Sequence, residues 1–186
     1  GKEIDSLADM VSFCLAPALL IYTLYTQNMP GISGEIIASA PLIMGAIRLA
    51  RYNTIEDKPM DSFVGLPTPM NALAIASLVL FMENIKLINP EYSQPRLLLP
   101  LILSLSFLMV SSVQYPKFPL LSIRAGKQNN YRLFGVILFL ICFSVAIIIG
   151  YPYWALSFFI TYYLLSGLFL HIINLGSIKT ERQETE

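Results

Sequence analysis

Charge is scarce in this chain and leans neither way: of 186 residues only 13% are Asp, Glu, Lys or Arg, with 12 basic against 12 acidic side chains. Without a surplus of Lys and Arg there is no field to hold nucleic-acid phosphates, so nucleic-acid binding is excluded as a first reading. Cysteine is nearly absent. Cys14 and Cys142 each sit inside an apolar run and read as buried hydrophobes rather than as a disulfide or a metal pair. The opening Gly1-Lys2-Glu3-Ile4-Asp5 has no initiator Met, no basic n-region and no leading apolar stretch, which predicts a fragment without a signal peptide.

What is abundant is apolar side chain, 55% of the residues, with a mean hydropathy of +0.64. That composition is too oily for a soluble domain and predicts an integral membrane protein. Crossing about 30 Å of hydrocarbon takes about 20 helical residues. Six runs of that order are predicted, at residues 7–27, 36–52, 64–82, 97–113, 133–149 and 153–174. They are continuously apolar where barrel strands would alternate, so the fold class is all-α, a polytopic transmembrane helix bundle. Residues 1–178 are taken as one transmembrane domain and 179–186 as a short, polar, disordered tail. Turns are predicted at Asn28-Met29-Pro30-Gly31, Asn89-Pro90-Glu91, Lys127-Gln128-Asn129-Asn130 and Gly150-Tyr151-Pro152. Pro17, Pro41, Pro67, Pro69 and Pro100 fall inside the runs and predict kinks.

Six crossings put both termini on one side, and Lys plus Arg count ten on that side against two, Lys86 and Arg96, on the other. Basic residues collect in the cytoplasm, so both ends are predicted cytoplasmic. Tyr151, Tyr153 and Trp154 then form an aromatic belt at the opposite interface, where Glu83 and Lys86 also read as interface residues.

Three features at the cytoplasmic side can carry chemistry. Gly1, Asp5 and Asp9, at i, i+4 and i+8, share one helix face. Two carboxylates a turn apart repel, and the spacing suits two uses: half of a divalent-metal site, or a solvated helix start whose acids favour the dipole. Arg48 and Arg51 end the second run beside Asn53. Mid-membrane arginine costs about 2.5–3.5 kcal/mol and less near an end. The pair can offer guanidinium forks to a phosphate or carboxylate, or simply snorkel. The stretch Phe63-Val64-Gly65-Leu66-Pro67-Thr68-Pro69 opens the third run, as a cleft wall or as helix-start punctuation. The lone His171 near the end of the last run reads as a capping or packing residue.

The segment Gly1-Lys2-Glu3-Ile4-Asp5-Ser6-Leu7-Ala8-Asp9 resembles the second half, G-x3-D-x3-D, of the signature of the CDP-alcohol phosphotransferase family. Ala16-Pro17-Ala18, Arg48-Leu49-Ala50-Arg51-Tyr52-Asn53 and Gly65-Leu66-Pro67 follow in order and resemble the serine-using branch, as does Tyr115-Pro116-Lys117. The resemblance implies transfer of a phosphatidyl group from CDP-diacylglycerol to L-serine, giving phosphatidylserine and CMP, with Mg2+ or Mn2+ as cofactor. It implies metal ligation by Asp5 and Asp9, with Asp9 also the general base, and close approach of the nucleotide at Gly1. The first half of the signature is absent here, so this chain alone is expected to be inactive, within a parent of about eight helices against six here. Arg48, Arg51 and Asn53 are assigned to the acceptor from their charge and side. A homodimer in a bacterial inner membrane, in contact with membrane lipids and with its active site facing the cytoplasm, completes the expectation. The rivals are another acceptor, glycerol 3-phosphate or an inositol phosphate, an ion-coupled transporter subunit with Asp5 and Asp9 as carriers, and a noncatalytic scaffold.

Overall fold

A computed structural model describes residues 1–54, 62–88, 98–116 and 127–184. The expected turn at Asn89-Pro90-Glu91 and the basic residues Lys58, Arg96, Lys117 and Arg124 lie outside them. The chain divides into two units, Gly1–Gln114 and Tyr115–Glu186.

The first unit opens with one continuous rod made of α1 (Lys2–Asp9), a π-helical stretch Met10–Leu15, α2 (Ala16–Ile21) and a second π-helical stretch Tyr22–Thr26. The first widening precedes Pro17, whose ring would press on the carbonyl four residues back, and the Ala16 N–H reaches instead to the Val11 carbonyl. The expected kink at Pro17 is therefore taken up as an under-wound turn. Gln27 N–H bonds the Tyr22 carbonyl at 2.8 Å to end the rod, and Gly31 turns the chain at φ 65°, as the Asn-Met-Pro-Gly signal predicts.

Helix α3 (Ser33–Thr54) returns along the rod with Gly34, Ala38, Pro41 and Gly45 buried on one stripe. A Cβ at Gly34 would strike the Thr26 carbonyl, and one at Gly45 would strike the Cys14 sulfur. Small residues let the two helices approach that closely, as membrane helices do where no hydrophobic drive separates helix from lipid. Next comes a short strand β1 (Ser62–Val64), and α4 (Thr68–Ile88) begins four residues later than the run predicted from residue 64. The delay has a local cause: Gly65 turns at φ 75°, and Pro67 favours extended backbone ahead of the helix. Helix α5 (Leu98–Val110) follows, and strand β2 (Gln114–Pro116) begins at the last residue of the unit. Helix α3 packs on both the rod and α5, while α4 packs on α5 and on Met10–Leu15. Cys14, Ile21, Leu66, Ile75, Leu98, Ile102 and Met109 are shielded between them, while Ile4, Leu7, Val11, Leu19, Ile36, Ile43 and Phe107 point outward.

In the second unit α6 (Lys127–Ile149) and α7 (Pro152–Glu184) form a hairpin. The expected turn at Lys127-Gln128-Asn129-Asn130 is instead the first turn of α6, because polar residues at a helix start solvate free N–H groups as readily as they make a loop. The predicted Gly150-Tyr151-Pro152 break is present. Gly150 sits at φ 91°, with its N–H on the Ile147 carbonyl at 3.1 Å and the Tyr151 N–H on the Ala146 carbonyl at 2.9 Å. That is a Schellman closure, with Pro152 as the first residue of α7. The tail expected to be disordered continues the helix through Glu184, in keeping with its proline-free Lys, Glu, Arg and Gln content. His171 therefore lies within α7 and caps nothing. Tyr151 and Trp154 are exposed as a belt requires, whereas Tyr153 is buried.

Among the described residues the chain forms six helical rods, with α1, α2 and the two π-helical stretches counted as one. Four spans are long and apolar enough to cross a membrane: Glu3–Thr26, Ser33–Thr54, Thr68–Leu87 and Pro152–Ile172. The described part of α5 and the apolar part of α6 (Leu133–Ile149) are shorter apolar helices. With so many large apolar side chains turned outward on these rods, the protein is an integral membrane protein.

Candidate functional site

The amino end of the rod carries the acidic face. Gly1 is the N-cap of α1, and its carbonyl accepts the Asp5 N–H at 3.1 Å, so Asp5 stands one turn from Gly1 and Asp9 one turn further. Asp5 is exposed and Asp9 half-buried. Between them in sequence, Ser6 exchanges hydrogen bonds with Asn53 of α3: its hydroxyl donates to Asn53 Oδ1 at 3.2 Å, and Asn53 Nδ2 donates to the Ser6 oxygen at 3.1 Å. This pair fastens the end of α3 to the acidic end of the rod. Of the residues expected at the site, Asn53 is thus held beside Ser6, the neighbour of Asp5 on the acidic stretch of the rod.

The two arginines do not form the expected pair of forks. Arg51 is exposed, whereas Arg48 is only 6% exposed. Arg48 Nη1 donates to the Val64 carbonyl at 2.7 Å and to the Met109 carbonyl at 3.2 Å, and its guanidinium lies 4.5 Å from the centre of the Tyr52 ring. The physical reason is helical phase. Arg48 continues the buried stripe of Gly34, Ala38, Pro41 and Gly45, and Tyr52 extends it one more turn, while Arg51 lies off it. Tyr52, which the sequence reading passed over, accepts the Val64 N–H and donates to the Val64 carbonyl, both at 2.9 Å. The Gly65 and Leu66 N–H groups reach the Val113 and Leu108 carbonyls at 2.7 and 2.9 Å. The Gly-Leu-Pro entry is therefore strapped to the ends of α3 and α5.

Asp5 and Asp9 offer two hard oxygen donors a turn apart, which suits part of the shell of a Mg2+- or Mn2+-type cation, whose ligands are oxygens. Among the described residues no three His, Cys, Asp or Glu side chains converge as a metal cage. A cation held between these two carboxylates would take further oxygen ligands from elsewhere.

At the opposite end of the first unit Glu83 pairs with Lys86 at 2.6 Å and accepts the Tyr25 hydroxyl at 2.8 Å. Asn71, in the first turns of α4, was missed by the sequence reading. It is fully buried, and neither Oδ1 nor Nδ2 has a hydrogen-bond partner among the described residues. Leaving such a group unmet costs about 1–3 kcal/mol.

The fold and the acidic face together define a polytopic helical membrane protein with its polar machinery at one end of the first unit. Residues 1–113 match the CDP-alcohol phosphatidyltransferase family, and the chain belongs to that family. The match ends beside Gln114, where the first unit ends. The chain is 36% identical over 170 residues to a CDP-diacylglycerol–serine O-phosphatidyltransferase of Helicobacter pylori, covering 90% of this chain and 66% of that protein. It is 33% identical over 165 residues to the enzyme of the same name from Methanocaldococcus jannaschii, covering 87% of this chain and 66% of that protein. It is 35% identical over 118 residues to that from Bacillus subtilis, covering 63% and 59%. The chain thus spans about two thirds of the length of these relatives, 66% for the first two.

Proposed function

We propose that the full-length protein transfers the phosphatidyl group of CDP-diacylglycerol to the hydroxyl of L-serine, releasing phosphatidylserine and CMP. The observation that carries this reading is the Ser6–Asn53 pair, which sets a polar end of α3 against the Asp5/Asp9 face within the segment that matches the family. The names of the relatives support serine as the acceptor.

In this reading Asp5 and Asp9 would hold a divalent cation, Mg2+ or Mn2+, and Gly1, which bears no side chain, would let the nucleotide end approach the backbone. A bound divalent cation would neutralise the charge that builds on the departing CMP phosphate. Asp9 accepts the proton of the serine hydroxyl as its oxygen bonds to the phosphatidyl phosphorus and the bond to CMP breaks. Arg51 and Asn53 orient the acceptor. Arg48, first assigned to the same task, acts one step back by holding the Gly65 entry in place.

The employment of Arg48 favours an unphosphorylated acceptor. A glycerol phosphate or inositol phosphate calls for several cationic groups, and of the two arginines expected at the site only Arg51 is exposed. A transporter reading is disfavoured because its charges belong near the midplane, and Asp5 and Asp9 stand at the start of the first span. The charge bias supports a site facing the cytoplasm, and the reading includes a bacterial inner membrane and a homodimer. The test is CMP release by the full-length protein in proteoliposomes with CDP-diacylglycerol, a divalent cation and one acceptor at a time. Release with L-serine supports the reading, and release only with glycerol 3-phosphate or inositol phosphate overturns it.

A further inference from the structure

We infer that Asn71 is a specificity-determining residue whose carboxamide contacts the amino acid acceptor, an inference that rests on the serine-transfer reading above. Asn71 is fully buried, and neither polar atom of its side chain has a hydrogen-bond partner among the described residues. Buried amides in folded proteins nearly always find partners, so an amide that misses on both atoms points to a ligand that supplies them. Its place fits. Asn71 stands one turn into α4, directly after the Gly65-Leu66-Pro67 entry that Arg48 and Tyr52 strap down, and its own N–H is already spent on the Pro67 carbonyl at 2.9 Å. Helix α4 also packs on Met10–Leu15, the under-wound stretch that begins immediately after Asp9. Widened turns of this kind recur at functional sites, where they re-aim side chains at little cost to the helix.

The chemistry selects among ligands. Oδ1 needs a donor and Nδ2 an acceptor. A diphosphate offers acceptors only and would leave Oδ1 unmet. An amino acid offers an ammonium donor and a carboxylate acceptor in one small molecule, and so satisfies both atoms. The cytidine end can also offer both, and the kinetic arms of the test separate it from serine.

The test compares the wild-type full-length protein with Asn71→Leu and, should that variant not fold, Asn71→Ala. The wild type must first show serine-dependent CMP release; without it the serine-transfer reading itself falls, and this inference with it. Given that release, the inference predicts a KM for L-serine raised about tenfold or more, as loss of a hydrogen-bonded pair implies. The KM for CDP-diacylglycerol stays within about twofold, because the donor does not use this amide. The melting temperature in detergent is unchanged or higher for Asn71→Leu, since an unmet polar group has been removed, and added L-serine raises it in the wild type but not in the variant. An unchanged KM for serine overturns the inference and leaves Asn71 to a trapped water. A rise confined to CDP-diacylglycerol, or equal rises for both substrates, overturns it as well.

Discussion

Arg48 and Val64, sixteen residues apart, meet at 2.7 Å between Nη1 and the carbonyl oxygen, and Tyr52 closes on both the N–H and the carbonyl of the same Val64. A buried guanidinium is tolerable here because main-chain carbonyls and an aromatic face surround it. The clasp makes the end of α3, the Gly65 turn and the end of α5 one rigid piece. A Cβ at Gly65 would run into the Met109 carbonyl and come within 2.9 Å of Arg48 Nη1.

Arg48→Ala leaves the Val64 and Met109 carbonyls without this donor and destabilises the protein by about 2–4 kcal/mol. Gly65→Ala is harmful for a second reason, since φ 75° strains any side-chain-bearing residue. Thermal unfolding in detergent checks both, with Arg48→Lys expected between wild type and Arg48→Ala. A melting temperature unchanged by Arg48→Ala refutes the clasp.

Gly45→Leu forces α3 away from the rod, because the space a Cβ would fill belongs to Cys14. In a Cys142→Ser background Cys14 is expected to resist a maleimide reagent in the parent and to react once Gly45 is replaced. Equal labelling of the two would show that the helices do not meet at this point.

Burial lifts the Tyr115 phenol from its ordinary 10.0 to about 12, and its hydroxyl has no partner among the described residues. The unfolded chain therefore loses this proton before the folded one does, and the stability it contributes is present below pH 10 and is lost as pH rises toward 12. Tyr115→Phe should remove this alkaline loss and stabilise by about 1 kcal/mol at neutral pH. The stack on Tyr163, 5.5 Å between ring centres, is kept by phenylalanine. Unfolding against pH for both proteins decides it.

Glu83→Gln breaks the pair with Lys86, whose side chains are 26% and 44% exposed across the pair. Solvent screening limits the effect to about 1 kcal/mol or less, and serine-dependent activity should not change. A loss of activity without a loss of stability would give this end of the unit a role that the account does not assign.

The bundle was legible because apolar runs of span length allow few other folds, and the Gly150 turn because glycine followed by a proline ends one helix and starts the next. Arg48 was misread, although the signal was there: residues 34, 38, 41, 45, 48 and 52 recur at intervals of four and three, one continuous stripe that begins with small side chains. Charge at a helix end drew attention away from phase. The α6 start at Lys127 and the α7 end at Glu184 were misplaced because polar residues mark loops and helix termini alike. Asn53 was assigned from its side of the membrane, but its bond to Ser6, a tertiary contact 47 residues apart, is contained in no local pattern. The orphaned amide of Asn71 depends on what packs around it and is invisible in a sequence.

The most direct test of the central claim is the rate of CMP release by the full-length protein in proteoliposomes, with CDP-diacylglycerol, Mg2+ and L-serine, in wild type and in Asp9→Asn. The account predicts release that requires serine and falls by about 10²–10⁴-fold in Asp9→Asn while the protein stays folded, the loss expected for a positioned general base. Wild-type rates in folded Asp9→Asn would contradict it.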